Sequence, residues 1–132
     1  VIQAVDTADD SSPAIRLRHE LADTLLARGH IVSAAVDNAF RTVPRALFVP
    51  AGTALDVVYS VDSPVITKTD EHGAHISSVS ATYIQARMIE MAGLAPGMAV
   101  LEIGSGGYNG EVADGGRGAR LREVTAAACS AT

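Results

Sequence analysis

The chain has 132 residues, 48% of them hydrophobic, which is enough for one domain with a packed core and too apolar for disorder throughout. A formal net charge of -5 excludes the concentrated cationic surface that nonspecific nucleic-acid binding requires, and no apolar run is long enough to span a bilayer. The single cysteine, Cys129, has no internal disulfide partner, and with no secretory pattern a cytoplasmic location is expected.

Residues 1–11, rich in Asp, Ser and Ala, read as a loosely held lead-in. Ser12 and Pro13 then suit the cap and first position of a helix, because Ser accepts an orphan amide bond and Pro needs no donor there. Leu17, Leu21 and Leu25, with Ala22 and Leu26 beside them, form its apolar stripe, and Gly29 supplies a left-handed stop. Ser33 caps a second amphipathic helix through Val36, Ala39, Phe40 and Val43, ended by Pro44. The apolar stretch from Arg45 to Pro50 reads as a turn bracketed by two prolines.

Val57, Val58 and Tyr59, and then Pro64, Val65, Ile66 and Thr67, read as extended segments because of their β-branched content. A polar loop with Gly73 follows, and a second extended stretch from Ile76 delivers serines to its end. Ser80 is expected to cap a third helix with Ile84, Met88 and Met91 on its apolar face, as core residues, and Gly93 as its stop. After a turn at Pro96 and Gly97, Ala99 to Ile103 reads as a buried parallel strand running into Gly104, Ser105, Gly106 and Gly107. Glycines so placed let the backbone turn sharply and approach a nucleotide-type cofactor without Cβ obstruction.

Beyond the loop, residues 110–118 hold four glycines in nine positions, which disfavours a helix. The rest is rich in Ala and Arg, fits a short helix, and offers no convincing buried strand; Arg117, Arg120 and Arg122 read as a solvated cluster. His72 and His75, with Asp70 and Glu71, are set aside as a metal site because no further ligands with characteristic spacing accompany them. No metal is expected. Cys129 reads as a free thiol.

Three ordered motifs carry a resemblance. The run Pro96-Gly97-Met98-Ala99-Val100-Leu101-Glu102-Ile103-Gly104-Ser105-Gly106 resembles the first motif of class I methyltransferases. Val43-Pro44-Arg45-Ala46-Leu47-Phe48-Val49-Pro50 is similar to the signature of protein-L-isoaspartate O-methyltransferases, and Asp62-Ser63-Pro64-Val65 sits where that family has its Tyr-Asp-x-Pro-type stretch. The resemblance implies an α/β fold in which a helical N-terminal region leads into the start of a Rossmann-like class I methyltransferase sheet. It implies S-adenosylmethionine as cofactor, contacted by Glu102, Gly104, Ser105, Gly106 and Gly107. The segment Val79-Ser80-Ala81-Thr82 aligns with the one that presents a serine to the isoaspartyl carboxylate, so Ser80 inherits that role, with Ser77 and Ser78 as neighbouring substrate contacts; capping and substrate roles for Ser80 are compatible.

Three departures qualify the match. The glycine loop is one residue shorter than Gly-x-Gly-x-Gly-Tyr, resembling a branch associated with ribosomally made peptide natural products, and Thr82 replaces the customary proline. The family pattern is followed over roughly residues 15–110, with 111–132 an atypical tail. The tail has the look of a shifted frame or artificial end, and Glu123, at about the right distance for the ribose acid, reads as solvated. The expected function is therefore a carboxyl O-methyltransferase acting on aspartyl or isoaspartyl groups of a protein or peptide, in an incomplete form lacking the adenine pocket. The alternative is a noncatalytic self-associating or peptide-binding fragment. A homo-oligomer is expected, because a first sheet strand without its neighbours leaves backbone groups and apolar faces unpaired.

Overall fold

In a computed structural model of the chain, residues 12–104, 106–115 and 120–124 are described. Cys129 and the lead-in segment lie outside them. Helix α1 (Ser12–Ala27) starts within a residue of the expected position. It buries Ala14, Leu21, Ala22 and Leu25 and leaves Leu26 half-exposed. The stop is at Gly29, whose φ of 70° is the left-handed conformation that lets the Gly29 and His30 amides bond back to the Leu26 and Leu25 carbonyls, each at 2.9 Å.

Helix α2 (Ala34–Thr42) is capped by Ser33, whose hydroxyl accepts from the Val36 amide. One carboxylate oxygen of Glu90 in turn accepts from the Val32 and Ser33 amides and the Ser33 hydroxyl at 2.8 to 3.0 Å. Val36, Ala39, Phe40 and Val43 are buried, and α2 packs against α1. The bracketed turn is a short 3-10 helix from Arg45 to Phe48.

Residues 55–58 depart from expectation. They form a single helical turn, α3 (Leu55–Val58), not an extended segment. Val58 and Tyr59 are buried in the main core, so side-chain burial overrides the β preference of adjacent valines. Strands β1 (Val65–Thr69) and β2 (His75–Val79) form an antiparallel hairpin with register irregularities beside Lys68. Only Val65 and Val79, at its base, are buried.

Helix α4 (Thr82–Ala92) ends at Gly93 in the left-handed region, as the sequence indicates. Its start and its buried face differ. The N-cap is Ala81, with no side-chain capping bond, so Ser80 does not cap it. Thr82 instead turns inward, donating to the carbonyls of Ser60 and Val61. The buried positions are Thr82, Gln85, Ala86 and Ile89, whereas Met88 and Met91 are 54% and 82% exposed. Methionine hydrophobicity suggested the wrong face; polar bonds made by Thr82 and Gln85 hold the opposite one against the body.

Strand β3 (Ala99–Ile103) pairs in parallel with β4 (Arg120–Val124), Glu102 lying opposite Glu123. The β3 strand is parallel as expected but not buried, since Leu101 and Ile103 are 62% and 74% exposed. Between them runs α5 (Tyr108–Gly115), a helix despite its glycines. Burial of Tyr108, Val112 and Ala113 against α2 compensates for the poor intrinsic propensity. Within the tail, for which a short helix is expected, residues 120–124 form strand β4 instead, its pairing with β3 supplying the order that its arginine-rich sequence does not advertise; residues 125–132 lie outside the described residues.

The result is a helical body leading into a β3–α5–β4 unit, the opening of a Rossmann-like sheet. Among the described residues no helix is long and apolar enough to cross a membrane.

Candidate functional site

The junction between the hairpin, α4, β3 and α5 forms a polar cleft of about 70 Å³. Strand β2 delivers Ser78, and the residue just after it Ser80, to one side, while β3 and the residue after it deliver Glu102 and Gly104 to the other. Gly106, Tyr108 and Asn109 close it from the loop and the first turn of α5, and Gln85 from α4. Five of the residues singled out from sequence, Ser78, Ser80, Glu102, Gly104 and Gly106, thus meet around one space.

Others are placed differently. Ser77 does not line the cleft; its hydroxyl accepts from Thr67 across the hairpin at 2.9 Å. Gly107 sits behind the cleft at φ 87°, and a Cβ there would lie 3.2 Å from two atoms of the Phe48 ring. Both the backbone angle and the aromatic contact therefore require glycine. Ser105 lies outside the described residues, and of Glu123 the structure describes the backbone, paired with Glu102 across β3 and β4.

Beneath the cleft lies a group that sequence reading did not single out. Arg45 is fully buried, and its hydrogen bonds run to neutral acceptors. Its Nε donates to the Val58 carbonyl at 2.9 Å, one terminal nitrogen donates to Gln85 Oε1, and the other to the Ser80 carbonyl at 2.7 Å. The guanidinium carbon stands 4.8 Å from the centre of the Tyr108 ring, a favourable position for a cation over an aromatic face. Tyr108 is also packed edge-on by Phe40 and Phe48.

Burial drives the titration of this pair. Desolvation lowers the Arg45 pKa, partly offset by Tyr108. It pushes the Tyr108 phenol well above its usual value, with Arg45 pulling in the opposite direction. Burial outweighs the pull of Arg45, so the Tyr108 hydroxyl stays protonated at neutral pH.

Two buried acceptors in the cleft wall, Glu102 Oε2 and Asn109 Oδ1, have no hydrogen-bond partner among the described residues. Leaving buried acceptors unsatisfied costs about 1–3 kcal/mol each, so both favour a donor from beyond the described residues. A ligand ammonium or hydroxyl group fits that need. The same two residues also border an apolar groove lined by Met88, Ile89, Leu94, Val100 and Leu101. Among the described residues no group of three or more His, Cys, Asp or Glu is arranged to hold a metal ion; Asp70 instead accepts from the His72 and Ala74 amides in the hairpin turn.

The family model for protein-L-isoaspartate(D-aspartate) O-methyltransferase matches residues 16–115. Among curated relatives, the protein-L-isoaspartate O-methyltransferase of Hyperthermus butylicus is 38% identical over 96 residues, covering 72% of this chain and 36% of the relative. That of Methanopyrus kandleri is 36% identical over 106 residues, covering 80% and 43%. A solved protein-L-isoaspartate O-methyltransferase superposes with a TM-score of 0.67 at 32% identity, covering 82% of this chain and 33% of that one. A Plasmodium falciparum structure described as a protein-L-isoaspartate O-methyltransferase in complex with S-adenosyl-L-homocysteine gives 0.58 at 24% identity, covering 74% and 40%; at that identity it bears on the fold alone. The chain spans 36% to 43% of the length of the curated relatives it matches.

Proposed function

Because the chain belongs to the protein-L-isoaspartate(D-aspartate) O-methyltransferase family, we propose that it forms the acceptor side and first cofactor loop of a carboxyl O-methyltransferase acting on aspartyl or isoaspartyl groups of a protein or peptide. The family uses S-adenosylmethionine, which when bound supplies an electrophilic methyl group on a positively charged sulfur. The observation that carries the reading is the meeting of Ser80 with Glu102 and the glycine loop around a cleft whose buried acceptors lack donors among the described residues.

In this reading Glu102 Oε2 and Asn109 Oδ1 accept from the ammonium of the cofactor's methionyl end. Gly104 and Gly106 keep side chains out of its path, and Ser105 and Gly107 complete the loop. The Ser80 hydroxyl donates to one oxygen of the acceptor carboxylate and leaves the other oriented for transfer, with Ser78 beside it and Ser77 further along the strand. An ionised carboxylate needs no general base; it needs alignment and partial removal of water, and the cleft provides a protected wall for both.

Calorimetric titration with S-adenosylhomocysteine tests this. The wild-type chain should bind, and Gly106→Val should weaken binding at least about tenfold (about 1.4 kcal/mol), because a branched side chain would enter the cleft beside Val79, whose Cγ2 is already 3.9 Å from the nearest added carbon. A wild-type chain that fails to bind would remove the cofactor role.

A second reading, self-association as a noncatalytic or peptide-binding fragment, is favoured by a separate observation. Met88, Leu101 and Ile103 expose apolar surface around the groove beside β3, and parallel sheets are normally covered on both faces. The two readings are compatible if copies pair through that face.

A further inference from the structure

The Val43 to Pro50 motif has no part in the chemistry described so far, yet it places the most deeply buried charge among the described residues next to the cleft. We propose that Arg45 is a positioning residue that locks the acceptor-side and loop-side walls of the cleft into one unit. The proposal rests on the function proposed above for what the cleft binds, but the coupling itself is a property of this chain.

The two walls come from different parts of the sequence. Ser80 follows the β2 strand, while Glu102 and the glycine loop lie some twenty residues further on (102 against 80). No side-chain bond capping α4 fixes Ser80, since Ala81 is the N-cap. What fixes that backbone is the Arg45 Nη2 bond to the Ser80 carbonyl, at 2.7 Å. The same planar guanidinium stacks over Tyr108, the residue that follows Gly107 and begins α5, and it also holds Gln85, another residue of the cleft wall.

A guanidinium is suited to this task because its donors lie in a fixed plane, so bonds to Val58, Ser80 and Gln85 define one orientation of its face toward Tyr108. An ammonium cannot reproduce that fork. The neutral character of its partners also fits: a carboxylate would neutralise the charge and compete with the carbonyls, whereas the present partners direct it at two walls at once.

Amide hydrogen exchange on the full chain tests the coupling without reference to activity. The Ile84 and Gln85 amides, bonded to the Ala81 carbonyl, report on the Ser80 side; the Glu111 amide, bonded to the Gly107 carbonyl, reports on the loop side; the His30 amide, bonded to Leu25, is the control. In Arg45→Lys both reporters should exchange about tenfold faster relative to the control, as loss of bonds to a charged donor predicts. Acceleration on one side only, or equal acceleration at His30, would overturn the proposal, the latter because it marks general destabilisation.

If Arg45→Lys does not fold, Tyr108→Leu decides. It removes the aromatic face under the guanidinium on the loop side alone, yet should speed exchange at Ile84 and Gln85; unchanged rates there would sink the coupling. Titration with S-adenosylhomocysteine separates the two layers of argument. A wild-type chain that does not bind it defeats the cofactor reading, while exchange rates still judge Arg45; a wild type that binds and an Arg45→Lys chain that binds equally well overturn its role in shaping the cleft.

Discussion

Tyr108 is enclosed by Phe40, Phe48 and the Arg45 guanidinium, and its ionisation has a thermodynamic consequence. Its folded pKa is raised above the ordinary value of 10, chiefly by burial. The folded chain therefore holds the phenolic proton more tightly than the unfolded chain. The associated stability is fully present below pH 10 and is lost as the pH rises from there toward the folded value, by up to about 1.4 kcal/mol per pH unit for one proton. Arg45, whose pKa is depressed by desolvation, acts in the opposite sense when it titrates. The decisive measurement is therefore the difference between wild type and Tyr108→Phe in urea unfolding from pH 8 to 11: the wild type should lose stability relative to the variant above pH 10. Parallel curves would mean that this phenol does not control the alkaline limit. The burial of Arg45 itself was not legible in the sequence. Arginine is normally exposed, and only the folded carbonyls of Val58 and Ser80, both distant in sequence, reveal why this one is not.

Among the elements, α2 was the most readable because its signals agree: a serine cap, an apolar spacing of three and four, and a proline after its end. Its start is reinforced by Glu90, reaching across from α4 to the same amides and hydroxyl. Ser33→Ala should therefore destabilise the chain by about 0.5–2 kcal/mol, the range for a lost cap, seen as a lower midpoint in urea. A change within experimental error would show that Glu90 alone satisfies the helix end. The elements misread were those whose local and tertiary preferences conflict. Adjacent valines pointed to a strand at α3, and glycines argued against α5, but Val58, Tyr108 and Val112 find buried positions that outweigh both signals. At α4 the apolar stripe was visible, yet Thr82 and Gln85 decide which face turns inward.

For the whole molecule, the order of helical region, serine-bearing strand, helix, strand and glycine loop was legible because it rests on punctuation by Pro and Gly and on one family motif. The contribution of β4 was not, since its partner strand lies on the far side of a helix. The apolar surface at Leu101 and Ile103 belongs to this scale too. Light scattering at high protein concentration should detect an assembly larger than one chain, and Leu101→Ser with Ile103→Ser should shift it toward monomer; a wild type strictly monomeric at the same concentrations would count against self-association through this face.

The β1–β2 hairpin stands apart from these packing constraints, anchored by Val65 and Val79 while its remaining residues face solvent wholly or in part. Mutational drift along its length therefore encounters little resistance from the core. Its base nevertheless runs straight to Ser80. Under the proposed function, such an arrangement would let a lineage vary what approaches the cleft while inheriting the cleft unchanged, so divergence in acceptor preference could proceed without a new fold.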